Sequence, residues 1–148
     1  MNKRFLDKVV IVTGSGSGIG QTTAERFAEE GAKVIIAELD KITGKLVEEK
    51  INKKNNQSKF IETDVSDFNS VNEMVNDTVK QFGPPDILIN NAGINVFSEP
   101  LKMSDAEWKR AFSVDLDGVW YGCKAVLPYM LEKGKGSIVN ISSVHGFQ

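Results

Sequence analysis

Four glycines alternate through Thr13-Gly14-Ser15-Gly16-Ser17-Gly18-Ile19-Gly20, directly after the apolar run Val9 to Val12. Backbone that bare can turn tightly, approach a phosphate closely and present unpaired N–H groups at a helix start. A flexible linker would use the same residue types, but the flanking patterns read as strand before and helix after. The spacing excludes two common phosphate patterns. G-x-G-x-x-G fails, because its last position falls on Ile19 or Gln21. The P-loop needs Gly-Lys followed by Ser or Thr, which this stretch lacks. Two spacings do fit. One is G-x-G-x-G at Gly14, Gly16 and Gly18; the other is T-G-x-x-x-G-x-G at Thr13, Gly14, Gly18 and Gly20. On the second, Gly16 is incidental.

Glu38 lies at the end of the next apolar run, twenty residues after Gly18. A carboxylate there can accept hydrogen bonds from the hydroxyls of an adenosine ribose and would repel a 2′-phosphate. No Arg or Lys directly follows Gly16 or Glu38, so NAD is favoured over NADP. Asp40 is a weaker candidate for the same role. S-adenosylmethionine-dependent methyltransferases also use G-x-G-x-G with a later acid, so these residues alone leave both classes open.

The segments that must position these groups alternate in pattern. Residues 8–13, 33–38, 59–63, 86–90 and 136–142 are short and rich in Val and Ile. Nearly continuous apolar runs are expected of strands covered on both faces of a parallel sheet. Between them, residues 19–30 carry an apolar stripe of Ile19, Ala24, Phe27 and Ala28, and Gly31 stands where a left-handed helix stop is wanted. Residues 67–82 place Val71, Met74, Val75, Val79 and Phe82 at helical spacing, with Ser66 or Asp67 as N-cap and "GPP" as terminator. Residues 104–133 read as one long helical region. It opens on the capping box "SDAE" and has an apolar face of Val114, Val119, Ala125, Val126, Leu127 and Met130. Alternating strands and helices predict an α/β fold, a doubly wound parallel sheet with right-handed crossovers.

Composition narrows the partners. At 148 residues, 41% hydrophobic and 26% charged, the chain fits one globular domain, and no linker or repeat divides it. A net charge of −2 gives no electrostatic reason to expect nucleic acid or an anionic membrane surface. The basic cluster "KINKKNNQSK" reads as a solvated loop at a helix end. One cysteine, Cys123, allows no internal disulfide or cysteine metal cluster, and one histidine, His145, no two-histidine metal site. That usage fits a reducing cytoplasm. No apolar stretch reaches membrane-spanning length, and the apolar run near the N-terminus is too short for a signal-peptide core.

Three motifs in order, "TGSGSGIG", "NNAG" (90–93) and "SIVNISS" (137–143), resemble the short-chain dehydrogenase/reductase family, whose fold is of Rossmann type. The resemblance runs the length of the chain and implies roles. Gly14, Gly18 and Gly20 would form the pyrophosphate turn, lined by Ser17 and Ile19, and Glu38 would hold the adenosine ribose. Asp64 and Val65 would contact the adenine. Asn90, Ala92 and Gly93 would pass beneath the cofactor's ribose, while Asn91 braces strands. Ser143 would be the catalytic serine that hydrogen-bonds the substrate oxygen, with Ser142 structural. The implied chemistry is hydride transfer between nicotinamide and an alcohol or ketone. The family's habit of packing the helix corresponding to 112–133 between subunits implies a homo-oligomer, dimer or tetramer.

The sequence also departs from the family. Its catalytic Tyr-x-x-x-Lys follows the serine by more residues than lie between Ser143 and Gln148. The literal match "YMLEK", Tyr129 to Lys133, precedes the serine, where the family has no active site. The expectation is therefore a Rossmann domain over 1–148, truncated after its fifth strand and inactive alone. That strand would be left as an apolar edge prone to aggregation. A catalytically inactive dinucleotide-binding module is the alternative. Asp115 stands where the family has an asparagine that supports a helix bend and a proton relay. Aspartate keeps acceptors but loses the amide donor. His145 and Asn95 fall where substrate-facing residues are expected.

Overall fold

The computed structural model describes residues 3–54 and 56–143. Strands β1 (Val9–Thr13), β2 (Lys33–Glu38), β3 (Gln57–Glu62), β4 (Ile87–Asn90) and β5 (Ser137–Asn140) form one sheet in the order β3-β2-β1-β4-β5. Every neighbouring pair is parallel. The order reverses between β1 and β4, the switch point where such sheets open a crevice beyond their strand ends.

Alternating side chains send β1, β2 and β4 into two cores. Ile11, Ile35 and Leu88 pack with Val71, Met74 and Val75 of α3 (Phe68–Phe82) and with Val126 and Met130 of α5 (Gly118–Glu132). Val10, Val12, Val34, Ile36 and Ile89 pack on the other face with Ala24 and Ala28 of α1 (Gly18–Glu29) and Val47 and Ile51 of α2 (Lys41–Asn52). This two-sided burial is why the strands read as unbroken apolar runs.

Helix ends follow local chemistry. Asp40 caps α2, and Asp67 rather than Ser66 caps α3. Ser104 and Glu107 form a reciprocal capping box on α4 (Asp105–Phe112). Gly31 has φ +94°, the left-handed stop expected after α1. The basic cluster after α2 is engaged rather than merely solvated: Lys50 pairs with Glu25, Lys54 with Glu29 and Lys59 with Glu48.

Three expectations change. The long helix is interrupted, because residues Ser113–Asp117 form a π-helical turn between α4 and α5. Ile19 does not join the core stripe of α1; it is 67% exposed at the helix's open end, and Leu127 is 39% exposed on α5. β5 is shorter than expected, because β4 ends at Asn90 and one further bond, Ile141 N–H to Asn90 O, closes the pairing. Among the described residues β5 pairs with β4 alone, and Val139 and Ile141 are each 44% exposed.

Candidate functional site

A cleft of about 660 Å³ lies beyond the C-terminal ends of β1, β2, β3 and β4. The glycine turn forms its floor. Gly14 has φ +61°, and its N–H donates to Ala37 O at 2.8 Å. A Cβ on Gly14 would sit 2.7 Å from Ala92 Cα, and one on Gly20 would sit 2.2 Å from Gly14 O. Only hydrogen fits at either place, so turn, helix and the β4 loop close on one another. Gly18 has φ +53° with nothing within 4 Å of where a Cβ would be. Here glycine serves the backbone conformation, not space.

Helix α1 differs from its neighbours at its start. Ser17 is extended and its side chain caps nothing, and no acid occupies the first turn, whereas α2, α3 and α4 each have a side-chain cap. The first N–H groups of α1 and the positive end of its dipole therefore face the cleft, with no side-chain cap among the described residues. An anionic group fits that position.

Glu38 is fixed by backbone. Its Oε2 accepts from Gly16 N–H at 2.9 Å, and its Oε1 accepts from Leu39 N–H at 2.9 Å and Asp40 N–H at 3.1 Å. Gly16 is thus not incidental. A Cβ there would lie 2.5 Å from Thr43 Oγ1 and 2.8 Å from Glu38 Cγ. The role of Gly16 was missed because the spacing that fits the family leaves it unassigned, and nothing in the sequence couples Thr43 to it.

Asp64 and Val65 follow β3. Asp64 Oδ1 accepts from Ser66 N–H and Ser66 Oγ–H at 2.9 and 2.6 Å, and Asp64 N–H donates to Ser70 Oγ. Val65 is nearly buried, and a Cβ on Gly118 would sit 3.1 Å from it, so α5 starts directly above this turn.

In "NNAG" both asparagines brace. Asn90 is 3% exposed and does not line the cleft. It alternates with Leu88 toward α5, and its Nδ2–H donates to Asn140 Oδ1 at 2.9 Å and Val119 O at 3.4 Å. Asn91 lines the cleft, while its Nδ2–H₂ donates to Thr13 O and Gly14 O. Thr13 Oγ1 accepts from the N–H groups of both Asn91 and Ala92. Ala92 and Gly93 continue the cleft wall.

Asp115 sits in the π turn and its Oδ1 accepts from Ile94 N–H at 2.9 Å. The bond needs an acceptor and no amide donor, so aspartate supplies what this contact requires. π turns recur at functional sites, and this one ties the long helix to the loop that carries Gly93.

Ser143 lies three residues past β5 and is exposed, outside the residues that line the cleft. Asn95 is likewise exposed and outside them. His145 falls outside the described residues. Tyr129 and Lys133 are at the far end of the sheet. Tyr129 O–H donates to Asn76, and Lys133 Nζ donates to Asp86 Oδ1 at 2.7 Å. Burial pushes the Asp86 carboxyl up, but the bonds from Lys133 and Val9 N–H, with the charges of Lys133 and Lys8, hold it below its ordinary value. That pair fastens the bottoms of β1, β4 and α5. Among the described residues no cluster of His, Cys, Asp and Glu could hold a metal ion. No helix among them is long and apolar enough to cross a membrane.

A family model described as short chain dehydrogenase matches residues 8–148. The chain belongs to the short chain dehydrogenase family. Membership removes the methyltransferase reading of Gly14, Gly16 and Gly18. Among relatives, an uncharacterized oxidoreductase of Thermotoga maritima is 41% identical over 145 residues, covering 95% of this chain and 55% of that protein. The meso-2,3-butanediol dehydrogenase of Serratia marcescens is 41% identical over 148 residues, covering 97% and 56%. The crystal structure of gox2181 superposes with a TM-score of 0.95 at 33% identity, covering 99% of this chain and 58% of that one. The short chain dehydrogenase chain described here thus spans little more than half the length of each.

Proposed function

We infer that the cleft binds NAD and that the chain forms the cofactor-holding part of an oxidoreductase acting on a small alcohol or ketone. The observation that carries the reading is Glu38, a carboxylate held by Gly16 N–H at the edge of a cleft whose floor is an uncapped helix start. The N–H groups of Ser17 to Gly20 would hold the pyrophosphate. A carboxylate offers about four acceptor positions. Three of Glu38's are taken by backbone, which leaves one on Oε2 for a ribose hydroxyl. A 2′-phosphate would meet that charge at close range, so NAD is favoured over NADP. Asp64 and Val65 would flank the adenine, and Asn91, Ala92 and Gly93 the second ribose.

Bound nicotinamide would supply the hydride acceptor or donor. Ser143 would hydrogen-bond the substrate oxygen, and Asp115 would position the Gly93 loop. No proton transfer is assigned to Tyr129 or Lys133, which are committed to Asn76 and Asp86. The name of the Serratia relative supports a secondary alcohol as the substrate class. The cysteine usage supports the cytoplasm. An exposed stripe of Trp108, Phe112, Leu116 and Trp120, with 54%, 41%, 57% and 60% exposure, supports burial against a second copy of the chain.

Calorimetric titration of the protein with NAD⁺ and NADP⁺ tests the cofactor reading. Tighter binding of NAD⁺, by about tenfold or more, is expected. Equal affinity, or preference for NADP⁺, would overturn it.

A further inference from the structure

The cleft carries one charged side chain that the dinucleotide reading has not used. Among the described residues lining it, Glu38 and Asp64 are the anions and Arg110 is the one cation. Arg110 lies four residues before Val114, so both project from one face of α4 and the π turn into the cleft. Among the described residues Arg110 has no ion pair and no side-chain hydrogen bond. The reason is local. Glu107, three residues earlier, is turned to the capping box, its Oε2 accepting from Ser104 N–H and Oγ–H at 2.8 Å each. The cleft's own carboxylates are engaged as well, Glu38 by three backbone N–H groups and Asp64 by Ser66.

Resting on the dinucleotide reading above, we propose that Arg110 is a positioning residue for the phosphate charge of the dinucleotide. An anionic ligand must enter past Glu38 and Asp64 in a chain of net charge −2. An unpaired guanidinium on the same wall offsets that repulsion and draws phosphate oxygens inward. Helix α1 packs on one face of the sheet, and α4 leads into α5 on the other. A phosphate at the strand ends would meet N–H dipoles from one side and the Arg110 charge from the other. The side chain is exposed, so its effect is screened by salt.

The test titrates NAD⁺, ADP-ribose and adenosine into the wild-type protein, Arg110→Gln and Arg110→Lys, at low and high ionic strength. At low salt, Arg110→Gln weakens NAD⁺ and ADP-ribose by about three- to tenfold, and at about 1 M salt the difference closes to within about twofold. Adenosine, which has no phosphate, binds all three alike, and Arg110→Lys keeps most of the affinity. Thermal unfolding confirms that the variants fold. An equal loss for adenosine, a loss that ignores salt, or no loss at all would overturn the Arg110 role. If the wild type binds NAD⁺ and Arg110→Gln binds it equally well, this inference falls and the dinucleotide reading stands. If the wild type binds none of the phosphates, both fall.

Discussion

Replacing Gly16 with alanine should weaken NAD⁺ binding by more than it destabilises the fold. The new Cβ would stand 2.5 Å from Thr43 Oγ1, 2.8 Å from Glu38 Cγ and 2.9 Å from Glu38 Oε2. Carbon does not approach other atoms that closely, so the loop or the two side chains must move. Both side chains are only partly buried and can swing toward solvent. The folding cost should therefore stay near the lower end of the overpacking range, about 1 kcal/mol. Binding loses more. Once Glu38 moves off Gly16 N–H, its carboxylate leaves the ribose position, and binding loses a charge-assisted hydrogen bond of about 1.5–3 kcal/mol. A loss of about 1.4 kcal/mol is tenfold in affinity, so Kd for NAD⁺ should rise by about ten- to a hundredfold. The assay is calorimetric titration alongside thermal unfolding. Adding Thr43→Ala to Gly16→Ala removes the shortest contact and should recover part of the affinity, a non-additive pair. Gly16→Ala binding NAD⁺ like wild type, or strictly additive effects, would refute the packing argument.

Asp115→Asn keeps the acceptor for Ile94 N–H and should change stability by less than about 0.5 kcal/mol, whereas Asp115→Ala exchanges that exposed bond for water and should cost about 0.5–1.5 kcal/mol by urea unfolding. The hydrogen bond from Arg4, against burial and helped by the charges of Arg4 and Arg26, lowers the Glu30 carboxyl to about 2. A folded pKa below the unfolded one stabilises above about 4.3, and that contribution is lost as pH falls toward about 2. Urea midpoints measured from neutral pH downward should fall through that window, and Glu30→Gln should flatten the fall. Trp120→Glu should shift the protein toward monomer in sedimentation velocity, and an unchanged sedimentation coefficient would contradict the helix stripe as an interface.

The fold was legible because β1, β2 and β4 are covered on both faces. Val10 to Val12, Val34 to Ile36 and Leu88 to Ile89 are all buried, so their apolar runs carry the parallel sheet plainly. The capping box at Ser104 was equally plain, while Ser66 and Asp67 stayed alternatives until the fold chose Asp67. What stayed hidden depends on distant pairs. Ile19 has the spacing of a core residue, but the helix start it occupies opens on the cleft. Gly16 reads as filler until β2 and α2 bring Glu38 and Thr43 against it. The resemblance implies Asn90 beneath the ribose and Asn91 as a brace, whereas strand alternation sends Asn90 to α5 and Asn91 to the cleft. The π turn is signalled only through the resemblance, which implies a helix bend at Asp115. It is tied to the rest by one bond between Asp115 and Ile94, twenty-one residues apart.

The most direct test of NAD binding in this cleft is a diffraction structure of the protein with NAD⁺ bound. The account predicts the pyrophosphate over the N–H groups of Ser17 to Gly20 and an adenosine ribose hydroxyl within hydrogen-bond distance of Glu38 Oε2. A dinucleotide bound elsewhere, or one whose ribose leaves Glu38 untouched, would contradict it.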